Sequence, residues 1–224
     1  MQISASSLGG ADCAWLLRVF PMRLFALLSV GVFVGCKTAP PPAPPPLAAD
    51  ALKDVTAFDS IASPQARSRA LFVESTKVLL HPRCSNCHPS VDTPLQGMDQ
   101  HEHFPKVTRG PTNEGVVGMQ CTTCHQAENQ PHIRVPGAPK WHLAPREMAW
   151  VGRTPAELCA QLKDPTRNGA RSLEAVLEHV THDQLVAWAW NPGAGREPAP
   201  GSQRQFGALI AAWIQTGAHC PEAP

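Results

Sequence analysis

His81-Pro82-Arg83-Cys84-Ser85-Asn86-Cys87-His88 and, further along, Cys121-Thr122-Thr123-Cys124-His125 decide how this chain is read. Both follow C-x-x-C-H, the pattern of covalent c-type haem attachment. Two thiols three residues apart can bond the vinyl groups on one edge of a porphyrin. The following histidine then lies under the iron and supplies a nitrogen ligand. The expected cofactors are two haem c groups. Cys84, Cys87, Cys121 and Cys124 are the attachment residues, and His88 and His125 are the proximal iron ligands. Two C-x-x-C pairs also suit a zinc ribbon, and each pair alone suits a redox dithiol. A histidine at the same place after both pairs, in a chain that carries an export signal, favours haem over either.

That signal lies upstream. Arg23 precedes the apolar run from Leu24 to Val34, and Gly35-Cys36 follow. A basic start, a short apolar core and a small residue before the cut describe a secretory signal over residues 1–35. The run is too short to span a bilayer, which takes about 20 residues. Gly before Cys36 resembles a bacterial lipobox, with Cys36 as the lipidated mature N-terminus, although Phe33 departs from the usual Leu; an ordinary signal cleaved nearby is the alternative. Met22 is the better start, which leaves Cys13 without a role. The expected location is the periplasm, tethered to a bacterial membrane by lipid. That compartment is where c-type haem is attached and disulfides persist.

Residues 36–50 include Ala39 to Ala49, APPPAPPPLAA, a polyproline-type spacer. Residues 51–224 have the length of one globular domain. The whole chain carries a formal charge of +1 with 19 basic and 18 acidic residues. No basic patch argues for nucleic acid. An ordinary one-haem cytochrome uses more chain than the interval between the two motifs, so one domain with two neighbouring haems is expected.

Within that domain Ser63-Pro64 opens a helix, with Ser as cap and Pro at the first helical position. Leu71, Val78, Leu79 and Leu80 are its apolar positions, and His81-Pro82 ends it. Residues 89–140 are rich in Pro, Gly, His and Asn and read as loops wrapped around cofactors. Thr154-Pro155-Ala156-Glu157 starts a second helix with a capping box, which Asp164-Pro165 stops. Ser172 caps a third, carrying Leu173, Val176, Leu177 and Val180. Asp183 to Trp190 follows and breaks at Asn191-Pro192-Gly193. Phe206, Leu209, Ile210, Trp213 and Ile214 repeat at helical spacing. The expected fold class is mainly α: a small, helical, loop-rich di-haem domain with little or no sheet.

Cys159 and Cys220 remain once the motifs and Cys36 are assigned. In an oxidising compartment they are expected to form a disulfide tying the chain's end to the helix at 154–163, with two separate buried thiols as the alternative. Each iron has a further axial position. Met98, His101, His103, Met119, His132, His142, Met148, His179 and His182 are all of a type to fill it, and His103, His142, Met148 and His179 are the candidates singled out. His103 lies between the motifs on a loop that can fold back over the first haem. Met148, flanked by Trp141 and Trp150 after a proline, resembles the methionine loop of a small cytochrome c, with His142 as its rival. A methionine ligand raises the potential and a second histidine lowers it. Arg109, Lys140 and Arg146 are candidate partners of haem propionates, and Trp188, Trp190 and Trp213 are expected to pack against haem.

The chain also resembles a family of exported bacterial di-haem cytochromes c whose members often carry the label "isoquinoline 1-oxidoreductase subunit". The likeness spans roughly 65–221. It rests on HPRCSNCHP from His81, RG at Arg109 with GMQCTTCHQ from Gly118, PGAPKWHLAPREMAW from Pro136, LCAQLKDPTRNG from Leu158 and FGALIAAWIQTGAHCP from Phe206. The label implies an electron-accepting subunit of a molybdenum hydroxylase. The chain has no molybdopterin or iron–sulfur pattern of its own. The leading expectation is a one-electron carrier between a dehydrogenase and an acceptor, with no catalytic residue of its own. A di-haem peroxidase and a zinc-binding structural lipoprotein are the alternatives.

Overall fold

In a computed structural model, residues 51–223 are described. The export segment, Met22, Cys13, Cys36 and the proline-rich spacer up to residue 50 lie outside the described residues. The first long helix, α1 (Pro64–Leu79), starts where local chemistry demands. Ser63 Oγ accepts the Ala66 N–H at 3.3 Å, and Pro64, which has no N–H to leave unpaired, takes the first helical position. The helix stops at Leu80, because His81 is extended and Pro82 opens a new turn, α2 (Pro82–Ser85). The first motif therefore begins on the rim of the helical core.

Four elements supply that core. α1 packs against α7 (Gln203–Gln215), α5 (Leu173–His182), which the short α6 (Gln184–Ala187) follows, packs against α7, and α4 (Pro155–Leu162) closes on α1. Leu71, Phe72, Leu158, Leu209, Ile210 and Trp213 are wholly buried. Each such side chain contributes about 1.5–3 kcal/mol of apolar transfer. The Phe72 and Trp213 rings meet at 4.9 Å between centroids. Trp213 Nε1 donates to the His219 carbonyl at 3.1 Å, so its one polar atom is satisfied inside the core. Helices α5 and α7 approach closely at Gly207, where a Cβ would lie 2.8 Å from Thr181 Oγ1. The 3₁₀ turn Val55–Phe58 lies across this bundle through Leu52 and Phe58, and the Lys53 N–H donates to the buried Glu74 carboxylate at 2.9 Å.

Cys159 on α4 is bonded to Cys220, with 5.5 Å between their Cα atoms, and Lys163 Nζ donates to the Ala218 carbonyl at 2.8 Å beside it. The end of the chain is thus fastened to α4, as expected.

Residues 89–140 are not loop throughout. β1 (Leu95–Gln96) pairs with β2 (His101–Glu102), antiparallel, with Leu95 opposite Glu102. β3 (Gly115–Val116) pairs with β4 (Met119–Gln120) across Val117-Gly118, where Gly118 has φ +81°. The left-handed residue explains the tight turn. β4 runs directly into α3 (Cys121–Cys124), the second motif. These strands are too short to show a two-residue hydrophobic period, and for that reason sequence patterning passes over them. The fold is otherwise mainly helical, and the two hairpins are the sheet observed among the described residues.

Candidate functional site

Each motif occupies one short turn of helix. In the first, His81 Nδ1 accepts the Arg83 N–H at 3.2 Å and starts α2, and backbone bonds from Cys87 to Cys84 and from His88 to Ser85 continue the coil. In the second, the His125 N–H donates to the Cys121 carbonyl at 2.9 Å. The coil brings the two thiols and the histidine of each motif to one side.

Both motif histidines are held alike. His88 Nδ1 donates to the Met148 carbonyl at 2.9 Å, and His125 Nδ1 donates to the Pro136 carbonyl at 2.8 Å. A carbonyl can only accept, so the proton sits on Nδ1 and the lone pair on Nε2. A tryptophan then lies flat on each ring. Trp150 stacks on His88 at 3.4 Å and 9°, and Trp141 stacks on His125 at 4.4 Å and 4°. Burial, opposed by the Met148 carbonyl bond and assisted by His179, Arg171 and Arg109, pushes the His88 pKa down to about 3. Burial likewise lowers that of His125. Neutral imidazoles with a free Nε2 are what a metal requires of histidine.

The thiols are as telling. Cys84, Cys87, Cys121 and Cys124 are unpaired, in the same molecule that joins Cys159 to Cys220. Burial pushes the Cys84 thiol up to about 12, with Cys87 adding to it. Burial and then the neighbouring Cys121 push Cys87 up to about 11. Burial disfavours the charged thiolate at both positions. A thioether, in contrast, carries no charge and is not opposed by burial. Among the described residues no three Cys, His, Asp or Glu side chains converge on one point, as tetrahedral zinc would need. The indole Nε1 of Trp150, buried beside His88, finds no partner among the described residues, a donor left for a group outside the chain. These residues fit a covalently held haem at each motif.

Three connections position the site. The Ala144 N–H donates to the Cys87 carbonyl at 3.0 Å and the Trp150 N–H to the His88 carbonyl at 2.9 Å, so residues 144–150 run along the first motif. Arg109, buried, donates to the carbonyls of Pro89 and Val91 at 3.2 Å, to Asn113 Oδ1 at 2.9 Å and to the Ala144 carbonyl. Asn129 accepts from Trp188 Nε1 at 2.9 Å and from the Gly137 N–H at 3.1 Å, fixing the loop that offers the Pro136 carbonyl to His125. Gly137 tolerates no side chain, because a Cβ there would meet the carbonyl oxygens of Glu128 and Gln126.

His103, expected over the first motif, instead stands against His125 of the second, 5.8 Å between ring centroids. The hairpin that carries it is pinned to the first motif and reaches across. Met148 presents its carbonyl to His88 Nδ1 and lines a cavity with that ring, and its sulfur lies toward Gly169. His142 Nδ1 donates to the Lys140 carbonyl at 2.6 Å. His179 lines a cavity together with His88, Met148, Trp150 and Arg171, and its Nδ1 is 3.2 Å from the Asp183 carboxylate.

Two of the arginines offered for propionates are otherwise engaged: Arg109 by carbonyls, and Arg146 by the Asp92 carboxylate. Of the later tryptophans, Trp213 belongs to the helical core and Trp190 packs on Phe206 at 5.9 Å. Trp188 meets Trp141 edge-on at 5.0 Å. The residues missed by sequence reasoning are Trp141 and Trp150 in their stacking role. Their signal in the sequence is that they bracket the stretch from 141 to 150, where spacing points equally to Met148 between them.

No protein-family model matches the chain, and no curated protein or solved structure matches it either.

Proposed function

We propose that this chain is an exported di-haem cytochrome c that carries single electrons between redox proteins, as the electron-accepting partner of a dehydrogenase or hydroxylase. Cys84 and Cys87 would hold one haem by thioether bonds and Cys121 and Cys124 the other, with His88 and His125 as the histidines that would ligate iron. The observation that carries this reading is the matched treatment of the two histidines. Each has Nδ1 committed to a backbone carbonyl, Nε2 free, and a tryptophan stacked on the ring.

When bound, the haems supply the one-electron chemistry. The chain's own contribution is positional. The carbonyls of Met148 and Pro136 fix the tautomer and raise the basicity of the ligating nitrogen, which favours the ferric state. Trp150 and Trp141 shield the rings from water and stop them turning. Cys121 lies near enough to Cys87 to add to the upward push on its thiol, which supports two haems held close to one another. His179, in the cavity with His88, is the candidate for the remaining axial position of the first haem. Export and lipidation at Cys36 belong to the same proposal and rest on the N-terminal sequence.

The test is maturation in a bacterial periplasm with the c-type haem attachment machinery. Pyridine haemochrome spectra should report two haems per chain. Replacing Cys84 and Cys87 together by Ala should leave one, as should the same change at Cys121 and Cys124. Haem-free protein, or stoichiometric zinc in its place, would overturn the reading. Peroxide turnover by the matured protein would move it from carrier to peroxidase.

A further inference from the structure

We infer that His103 is the second axial ligand of the haem attached at Cys121 and Cys124, making that iron bis-histidine. The inference rests on the di-haem reading above and adds a ligand to it.

Two imidazoles on opposite sides of one metal, with each metal–nitrogen bond roughly 2 Å, have ring centres about 6 Å apart. The His103 and His125 rings are 5.8 Å apart, with their planes 65° from each other. Their nitrogens are committed in the same way. His103 Nδ1 donates to the Pro105 carbonyl at 2.9 Å, as His125 Nδ1 does to Pro136 at 2.8 Å. Both rings therefore have an unprotonated Nε2 as the atom left to bind. Trp141 covers one face of His125, which leaves His103 to approach from another direction.

The hairpin holding His103 is not adrift. The Leu95 N–H donates to the Asn86 carbonyl at 3.3 Å, Asn86 Nδ2 donates to the Gly97 carbonyl at 2.9 Å, and Gln100 Nε2 donates to Ser85 Oγ at 2.8 Å. The His103 N–H donates to the Pro94 carbonyl at 2.9 Å, which closes the hairpin just before the ring. Ser85 and Asn86 are the two residues between the thiols of the first motif. One attachment motif thus holds the arm that delivers a ligand to the other. Its near neighbour His101 pairs with Asp99 at 2.6 Å and is exposed, so it serves as the control position.

The experiment uses holoprotein matured in the periplasm, and the haem count of the wild type is read first. In His103→Ala, one of the two ferric haems should pass from low spin to high spin while the other keeps its spectrum. Added imidazole should return it to low spin. His103→Met should keep that haem low spin, with the far-red thioether–iron band and a raised potential. His101→Ala should change neither haem. Two bound haems with spectra and potentials unaffected in both His103 variants would overturn this inference while leaving the di-haem carrier intact. A wild type that binds no haem would overturn the carrier reading itself, and the inference with it.

Discussion

At the scale of single residues, the geometry of the site depends on groups outside the two motifs. Gly137 is the sharpest case. It allows the chain to pass against the carbonyls of Glu128 and Gln126 while the preceding Pro136 carbonyl meets His125. Gly137→Ala should destabilise the domain by about 1–3 kcal/mol through overpacking. It should also shift the potential of the second haem alone, as read by a redox titration that resolves the two. Arg109 is the second case, since its fork joins the chain after the first motif to Asn113 and Ala144. A lysine keeps the charge but cannot reproduce a planar fork. Arg109→Lys should therefore cost about 2–3 kcal/mol, seen as a lower thermal midpoint, with two haems still attached.

At the scale of elements, helix α4 shows how local chemistry acts on the whole. Thr154 Oγ1 accepts the Glu157 N–H at 3.3 Å, and the Glu157 carboxylate accepts the Thr154 N–H at 2.8 Å. Thr154→Ala should cost about 1 kcal/mol in denaturant titration. The Glu157 carboxyl is held below its ordinary 4.5 by the Thr154 backbone N–H and then by its hydroxyl. The folded value lies below the unfolded one, so the charged form's contribution is complete above pH 4.5 and is lost as pH falls through the depressed value. The deficit of Glu157→Gln relative to wild type should accordingly be constant above that pH and shrink in acid. A gap that widened in acid would show that the carboxylate is not the stabilising form.

Helices α1, α4, α5 and α7 were legible in the sequence because each carries its own cap and an apolar repeat. The two hairpins were not, since two-residue strands hold no period, and their pairing follows from turns and from anchoring on neighbouring segments.

At the scale of the molecule, a helical core on one side supports two attachment turns and their loops. Residues 144–150 run along the first motif, and the first hairpin carries His103 to the second, so the two sites share walls. The Cys159–Cys220 bond closes a separation of 61 residues. In the chain-entropy account such a loop contributes about 4 kcal/mol. Replacing both cysteines by Ala should lower the unfolding free energy by that order. It should leave the haem spectra of the folded protein unchanged, because neither cysteine belongs to a C-x-x-C-H motif.

Covalent chemistry is local, and so the proposed attachment residues are read from the sequence alone: a thiol, two spacers, a thiol and a histidine can do their work within one helical turn. Capped, periodic segments determined the helices for the same reason, and the two cysteines outside the motifs and the N-terminal segment pointed to the disulfide. The surroundings of each ring were decided only by the tertiary structure. Which carbonyl accepts from His88 or His125, which tryptophan covers it, and which motif His103 stands beside all depend on segments distant in sequence meeting in space. Spacing along a chain does not encode that meeting. It follows from how the hairpin, the 141–150 stretch and Arg109 satisfy their backbone hydrogen bonds around the two turns.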